Sequence, residues 1–326
     1  AAQTGDVVEL LQDFDLTTVT TTPSNKYNVN INKSITIDGK GYKVTSSAGK
    51  RALALTGEGN NITLKNLTVE NNVSEACVWI ANNLTCTLDA VTLDGTNGKT
   101  YNQPLTIGSI SENGRVTLNV TNGSVIKTND AGSAHYAIIA AHPADITVTN
   151  SSLIGWANVY LKPDAAGSKV NISNSTLKSQ GIAGASASNN FSMFTTECGN
   201  NTITLTDNNI SLAPAADTYM TLVTFNGTAN NTVKVQGDQT TFTTTNVTRG
   251  GITHSKGDLE NNTVSFDEDA HSAFAEAINV LKNEGVSDTK AEGVYTLGYV
   301  AEVYYYWIVS DAETGGNYDF AEPFKN

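Results

Sequence analysis

The chain has 326 residues, a formal net charge of −13 and three cysteines. Its sequence pI is about 4.6. A protein this acidic repels nucleic acid and anionic membranes, so we expect neither as a partner. No apolar run reaches the ~20 residues that a membrane-spanning helix needs, which predicts a chain without a membrane span.

Residues 1–32 are predicted to start the fold and to shield its first edge, because exposed β edges pair with other chains. The apolar residues Val7, Val8, Leu10 and Leu11 suit a first turn. The segment Leu16–Asn32, with its threonine run and Pro23, is predicted to be a loop or an irregular strand.

A repeated phrase fills residues 33–266, and Asn60–Asn72 (NNITLKNLTVENN) is its clearest copy. Each copy has an apolar anchor, a second apolar residue two positions earlier, and a polar residue between them. This alternation predicts a strand with one buried and one solvated face. The anchors are Ile37, Leu64, Leu88, Leu118, Val148, Ile172, Leu205, Val235 and Phe266.

A bend is predicted two residues after the anchors. Asn66, Asn150, Asn174, Asp207, Gly39 and Gly237 occupy this position. Asn, Asp and Gly tolerate the left-handed backbone conformation of a sharp bend.

A third strand fits between successive phrases. The predicted spans are Ala52–Leu55, Val78–Ile80, Leu105–Ile107, Tyr136–Ile139, Val159–Leu161, Phe191–Phe194 and Leu222–Phe225. Three short strands per turn, repeated every ~24–33 residues, predict an all-β parallel β-helix solenoid of about nine turns. The longer insertions, Asp94–Pro104, Ser175–Asn190 and Ala213–Tyr219, are the natural places for function or are tolerated loops.

The pattern changes at residue 267. Asp267–Gly285 has apolar residues spaced three and four apart, which predicts an amphipathic helix. Val294–Val309 alternates aromatic or apolar residues with other residues, which predicts one or two strands. We therefore divide the chain into a β-helix at 1–266 and a helix-plus-strand cap or small module at 267–326.

The opening GDVVELLQDF followed by KSITIDGKGYKV resembles the start of right-handed parallel β-helices of the pectate-lyase-like superfamily. The chain looks most like the adhesin-like, non-enzymatic surface members found in bacteria. This resemblance implies a right-handed helix over roughly the first four-fifths of the chain. It also implies an exported protein, and we interpret the start at Ala-Ala-Gln, without a signal peptide, as a mature or trimmed form.

Catalytic patterns of the superfamily are missing from the sequence. Polygalacturonase-like hydrolases carry Asn-Thr-Asp, Asp-Asp, Gly-His-Gly and Arg-Ile-Lys motifs, and this chain has none of them. The three arginines, Arg51, Arg115 and Arg249, lie in different regions, although pectate-lyase-like enzymes use Arg or Lys beside clustered carboxylates. We expect no catalytic residue, metal or cofactor, and we interpret Cys77, Cys86 and Cys198 as small buried hydrophobic residues.

One constellation of residues suits sugar binding. His135, Tyr136, Trp156, Tyr160, Lys162 and Asp164 belong to two successive turns. Aromatic faces stack on sugar CH groups, while charged and polar side chains bind sugar hydroxyls. The alternative is that the tyrosines lie on the surface and the tryptophan packs a turn.

The sequence therefore favours an extracellular, monomeric, non-catalytic surface protein that binds a polysaccharide, a cell-surface glycoconjugate or a surface protein. Two alternatives stay open. One is a polysaccharide lyase or glycoside hydrolase with a non-standard active site. The other is a passive stalk within a larger surface protein, which strand faces of uniform Thr, Asn and Ser would favour.

Overall fold

The computed structural model describes residues 2–19, 26–46, 49–71, 75–81, 83–97, 103–108, 114–128, 135–180, 192–214, 218–226, 228–256, 262–270, 272–274, 294–300 and 303–308. For residues 218–219, 247–256, 294–300 and 303–308 it describes the backbone alone.

Short strands dominate these residues. In chain order they are β1 (Val7–Glu9), β2 (Phe14–Asp15), β3 (Tyr27–Ile31), β4 (Thr36–Asp38), β5 (Lys43–Ser46), β6 (Arg51–Leu55), β7 (Asn61–Asn71), β8 (Val78–Ile80), β9 (Thr85–Gly95), β10 (Leu105–Ile107), β11 (Val116–Thr121), β12 (Val125–Thr128), β13 (Tyr136–Ala140), β14 (Ala144–Thr149), β15 (Ser152–Gly155), β16 (Ala157–Leu161), β17 (Lys169–Ser173), β18 (Thr176–Ser179), β19 (Ser192–Thr196), β20 (Thr202–Thr206), β21 (Asn209–Leu212), β22 (Thr218–Asn226), β23 (Thr232–Gln236), β24 (Thr241–Thr244), β25 (Val247–Lys256), β26 (Thr263–Asp267), β27 (Val294–Val300) and β28 (Val303–Ile308). Short 3-10 helices lie at Leu16–Thr18 and Pro163–Ala165.

The strands stack in parallel on three faces. The first face contains β1, β4, the first halves of β7 and β9, and β11, β14, β17, β20, β23 and β26. The second face contains β2, β5, the second halves of β7 and β9, and β12, β15, β18, β21 and β24. The third face is a nine-stranded sheet of β3, β6, β8, β10, β13, β16, β19, β22 and β25. The predicted all-β parallel solenoid is confirmed.

The core runs along the solenoid axis. Inward Ile, Leu and Val residues of each turn lie against their counterparts one turn away, as Leu64 does against Leu88. Nine strands about 4.8 Å apart span roughly 40 Å. Each fully buried aliphatic side chain contributes about 1.5–3 kcal/mol of transfer free energy. The three cysteines are free and buried, as predicted.

The bends between the first and second faces are left-handed at the predicted residues. Asn66, Asn150, Asn174 and Asp207 have φ between 48° and 54°. Ala90 adopts the same left-handed conformation, with φ of 54°, although an alanine does not indicate a bend in the sequence.

The bend predicted at Gly39 is wrong by one residue, because Lys40 and Gly41 carry the positive φ there. Gly39 is required for a different reason. A Cβ at this position would lie 2.5 Å from the Asn66 carbonyl oxygen, so the two turns approach too closely for any side chain.

One predicted anchor is also wrong. Leu88 pairs with Val120 rather than with Leu118. Leu118 pairs with Cys86, two residues before Leu88 in the same strand. Alternation repeats every two residues, so a shift of two keeps every apolar side chain inside. The left-handed bend at Asn122, two residues after Val120, sets the true register.

Buried polar side chains cross-link the later turns. Ser168, Asn201, Asn231 and Asn262 each immediately precede a first-face strand, and all four are buried. The Asn201 side-chain amide donates to Asn231 Oδ1 (2.9 Å), and the Asn231 amide donates to Asn262 Oδ1 (3.0 Å). The same oxygens accept the backbone N–H groups of the preceding turn, so the ladder satisfies groups that have no water to bond.

Replacing Asn231 by Ala should lower the free energy of unfolding by about 1–3 kcal/mol. The backbone N–H and the side-chain amide of Asn201 would both lose their buried acceptor, Oδ1 of Asn231. Urea denaturation measures this loss. Asn171→Ala is the matched control, since Asn171 is exposed on the first face and should change stability by less than about 0.5 kcal/mol. Equal losses in both variants would show that the ladder is not stabilising.

The C-terminal segment contains a short helix and an antiparallel strand pair. Residues 268–270 and 272–274 are helical, and the rest of the predicted helix, 275–285, lies outside the described residues. Strand β28 pairs with β27 and, antiparallel, with β26. The domain boundary at 266/267 and the capping role of 267–326 stay predictions.

Phe274 joins the short helix to the last turns. Its ring stacks on Phe242 at a centroid distance of 3.9 Å and contacts Phe266 at 4.6 Å. Within the described residues, no helix is both long and apolar enough to cross a bilayer.

Phe274→Ala should cost about 3–5 kcal/mol of stability, because it leaves a cavity between two aromatic rings. Thermal and urea unfolding measure the effect. Ser272→Ala, on the exposed side of the same helical turn, serves as the control and should change little. A loss no larger than that of the control would mean that the helix does not stabilise the end of the solenoid.

Candidate functional site

The side of the third face that points away from the core carries two columns of aligned residues, of which Ala81, Ile139, Thr195 and Thr224 are buried. Pairing of β8, β10, β13, β16, β19 and β22 builds the central column, which consists of Trp79, Thr106, Ile139, Tyr160, Thr195 and Thr224. The residue two positions after each member of the central column belongs to the edge column. The edge column consists of Ala81, Gly108, Ala141, Lys162, Glu197 and Asn226. Since the flanking residues Val159 and Leu161 are in the core, Tyr160 points outward.

Three of the predicted site residues form one aromatic cluster. The ring of Tyr136 lies 4.7 Å from that of Tyr160, tilted by 31°, and 5.2 Å from that of Trp156 in an edge-on arrangement. Tyr136 is 6% exposed and Trp156 is 4% exposed. These two rings therefore pack against their neighbours, and Tyr160, which is half-buried, presents the accessible aromatic surface.

The other three predicted residues differ in their distance from the cluster and in their exposure. Lys162 lies beside the cluster, with its Nζ 5.8 Å from the centre of the Tyr160 ring. His135 is buried at 1% exposure, so it does not present its ring to solvent. Asp164 is exposed in the 3-10 helix Pro163–Ala165. The accessible part of the predicted site is thus smaller than the sequence indicated.

Glu197 is a site residue that sequence reasoning missed. Its carboxylate accepts a hydrogen bond from the Tyr160 hydroxyl (2.5 Å) and another from the Asn226 side-chain amide (2.9 Å). Glu197 and Asn226 follow Thr196 and Phe225 at the ends of third-face strands, as Lys162 follows Leu161. Asn226 directly follows the predicted strand Leu222–Phe225, but the predicted strand Phe191–Phe194 ends three residues before Glu197, so the sequence did not align Glu197 with Lys162.

A second aromatic cluster lies on the same face and was also missed. Trp79 is half-buried, and the guanidinium of Arg51 lies 4.3 Å from its ring centre. The ring of Tyr27 is 6.1 Å from that of Trp79, and Arg51 Nε is 3.4 Å from a carboxylate oxygen of Glu75. Strand alternation in Val78–Ile80 places Trp79 outward, so this residue could have been found from the sequence.

The electrostatics of the first cluster keep both phenols neutral. Burial raises the pKa of Tyr136 to about 12. Burial and the hydrogen bond to the Glu197 carboxylate raise the pKa of Tyr160. A tyrosine in this environment holds its proton at neutral pH and acts as a hydrogen-bond donor rather than as a base.

The arrangement offers an aromatic face, a carboxylate, an amide and an ammonium group within one small surface. Such a set can stack on the CH groups of a sugar and bind its hydroxyls. In the part of the chain that the structure describes, no group of three or more His, Cys, Asp or Glu side chains could hold a metal ion.

Comparison with known proteins leaves the family open. No family model matches the sequence, and no curated protein or solved structure gives a significant match. The assignment to the pectate-lyase-like superfamily therefore stays a proposal.

Raised tyrosine pKa values predict an unusual alkaline titration. In the folded protein Tyr136 should ionise near pH 12 and Tyr160 above the ordinary tyrosine range, whereas unfolded tyrosines ionise near ~10. The stability that these groups contribute is complete below pH ~10 and is lost as the pH rises through the folded values. Ultraviolet absorbance of phenolate measures both titrations.

Tyr136→Phe and Tyr160→Phe identify the two groups among the 12 tyrosines, since each variant should lose only a late titration step. Loss of a step near pH 10 in either variant would contradict the predicted shift.

Proposed function

We propose that this chain is an exported, non-catalytic bacterial surface protein of the adhesin-like kind, and that it binds glycan on the third face of its solenoid. The observation that carries the proposal is the half-buried Tyr160 ring, whose hydroxyl is held by Glu197 and whose surroundings include Lys162 and Asn226. This combination of an aromatic face with convergent polar groups is typical of sugar sites.

Binding fits these groups better than catalysis does. Hydrolysis of a glycosidic bond generally uses a pair of carboxyl groups. At Tyr160 the contacting carboxylate is that of Glu197, and it is occupied by two hydrogen bonds. A lyase needs a group that removes a proton, and Tyr160 holds its own proton because its pKa is raised. A lyase or hydrolase with a non-standard site is therefore the second candidate.

The passive-stalk alternative is weakened by the difference between the faces. The outward columns of the first face are mostly Thr, Asn and Ser, for example Thr63, Thr87 and Thr204. The third face differs because it carries two aromatic clusters with charged neighbours. A stalk needs no such clusters.

Native affinity electrophoresis through gels that contain plant, host and microbial polysaccharides tests the proposal. We expect retardation in at least one gel without loss of the polysaccharide stain. Clearing of the stain would establish an enzyme instead. Unchanged mobility in all gels would favour a protein partner or a stalk.

Tyr160→Ala should weaken binding to the retarding polysaccharide by about tenfold or more, as removal of a central aromatic contact does. Tyr42→Ala is the matched control, because Tyr42 is 38% exposed and lies on a different part of the solenoid. Isothermal titration calorimetry measures both affinities. The same affinity in the two variants would exclude Tyr160 as the binding residue.

A further inference from the structure

The two aromatic clusters lie along one line. Trp79 pairs in register with Thr106, Thr106 with Ile139, and Ile139 with Tyr160. These three steps place Trp79 and Tyr160 roughly 14 Å apart along the solenoid axis, since each step is about 4.8 Å. One sugar ring cannot reach both side chains, but an extended chain of several sugar units can.

The edge column has small side chains between the two clusters. The edge column between them holds Gly108 and Ala141, whereas farther along the axis it holds Lys162 and Glu197. A Cβ at position 108 would lie only 3.1 Å from Nε1 of Trp79, so glycine allows the indole to lie over this strand end. Thr106 is half-buried and its side chain is short. Ile139 is 2% exposed, so neighbouring atoms cover it and a ligand would pass above this cover rather than contact Ile139.

Each cluster offers the same two kinds of contact. At one end Tyr160 supplies an aromatic ring, and Glu197 and Asn226 supply polar groups. At the other end Trp79 supplies an aromatic ring and Arg51 supplies a guanidinium. A guanidinium has five N–H donors, and the contact with Glu75 engages the Nε side, which leaves donors for sugar hydroxyls.

Charge on this surface selects against a charged chain. Arg51 is paired with Glu75 at one end. At the other end Lys162 lies beside the Tyr160 ring, and the hydroxyl of Tyr160 donates to the Glu197 carboxylate, so one cation and one anion lie in each cluster. The protein as a whole carries −13, so a polyuronate or a sulfated chain meets long-range repulsion without a local cationic patch to offset it.

We infer that the third face binds one extended, unbranched and uncharged polysaccharide chain parallel to the solenoid axis, with one sugar on Tyr160 and another, several units away, on Trp79. This inference rests on the proposed function and adds a second subsite, an orientation and a ligand class to it.

A length series of neutral oligosaccharides tests the inference by calorimetry. The probes are cello- and manno-oligosaccharides from disaccharide to hexasaccharide, with oligogalacturonates as the charged counterpart. For the intact protein, affinity should rise steeply once the chain reaches both aromatic residues. Trp79→Ala should abolish that rise, lowering hexasaccharide affinity by about tenfold and disaccharide affinity by much less.

Three further variants separate loss of the extended binding surface from simple loss of folding. Ala141→Leu puts a large side chain between the clusters and should weaken long chains alone. Tyr42→Ala lies elsewhere and should change neither. Thermal unfolding of each variant checks that the solenoid is intact, and Trp79→Phe should restore most of the hexasaccharide affinity because it keeps an aromatic face.

The outcomes distinguish this inference from the function on which it rests. Binding that Tyr160→Ala weakens, but that neither grows with chain length nor responds to Trp79→Ala, would overturn the second subsite and leave the glycan-binding function in place. Tighter binding of oligogalacturonates than of neutral chains would overturn the ligand class. Failure of every probe and polysaccharide to bind would overturn the function and the inference together.

Discussion

Parallel stacking of turns in register is the constraint on which the rest of this structure depends. Each strand bonds its backbone to the strands one turn before and one turn after, so residues at equivalent positions are forced into columns about 4.8 Å apart. A column inside must be apolar or must satisfy its own hydrogen bonds. The inward aliphatic columns follow the first route, and the ladder of Asn201, Asn231 and Asn262 follows the second. Bends between faces must repeat as well, which explains left-handed residues at nearly the same place in successive turns.

The same constraint turns single residues into extended surfaces. On the first and second faces, charged residues pair with partners on adjacent turns, as Asp94 does with Lys127 (2.7 Å) and Lys43 with Glu70 (3.0 Å). Such exposed or partly exposed pairs contribute little stability each. On the third face, the pairing of strands instead aligns Trp79 with Tyr160. The proposed binding of a linear polymer rests on this alignment.

The neighbours of Tyr160 explain how its ring is accessible and yet held in one orientation. Tyr136 and Trp156 are buried and do not contact a ligand. The Tyr136 ring packs against Tyr160 and helps to fix its orientation, and Trp156 packs against Tyr136 in turn. Glu197 fixes the hydroxyl of the same residue. Tyr160 is thereby held on both sides in a single orientation, and a ligand that stacks on it does not have to order the side chain first.

The sequence by itself determined the fold class, because alternation in every phrase demands a strand with one buried face and the repeat length excludes isolated sheets. Most left-handed bends were also readable, since Asn and Asp mark them. Register was not fully readable: a shift of two residues keeps the alternation, so Leu118 and Val120 could be told apart only when the turns were stacked. The site depended still more on tertiary structure. Glu197 lies 37 residues from Tyr160 in the chain, and Trp79 is brought into the same column only by three successive strand pairings. Local sequence reports which side of a strand a residue occupies, whereas the number of residues in each intervening loop decides which residues of other turns become its neighbours.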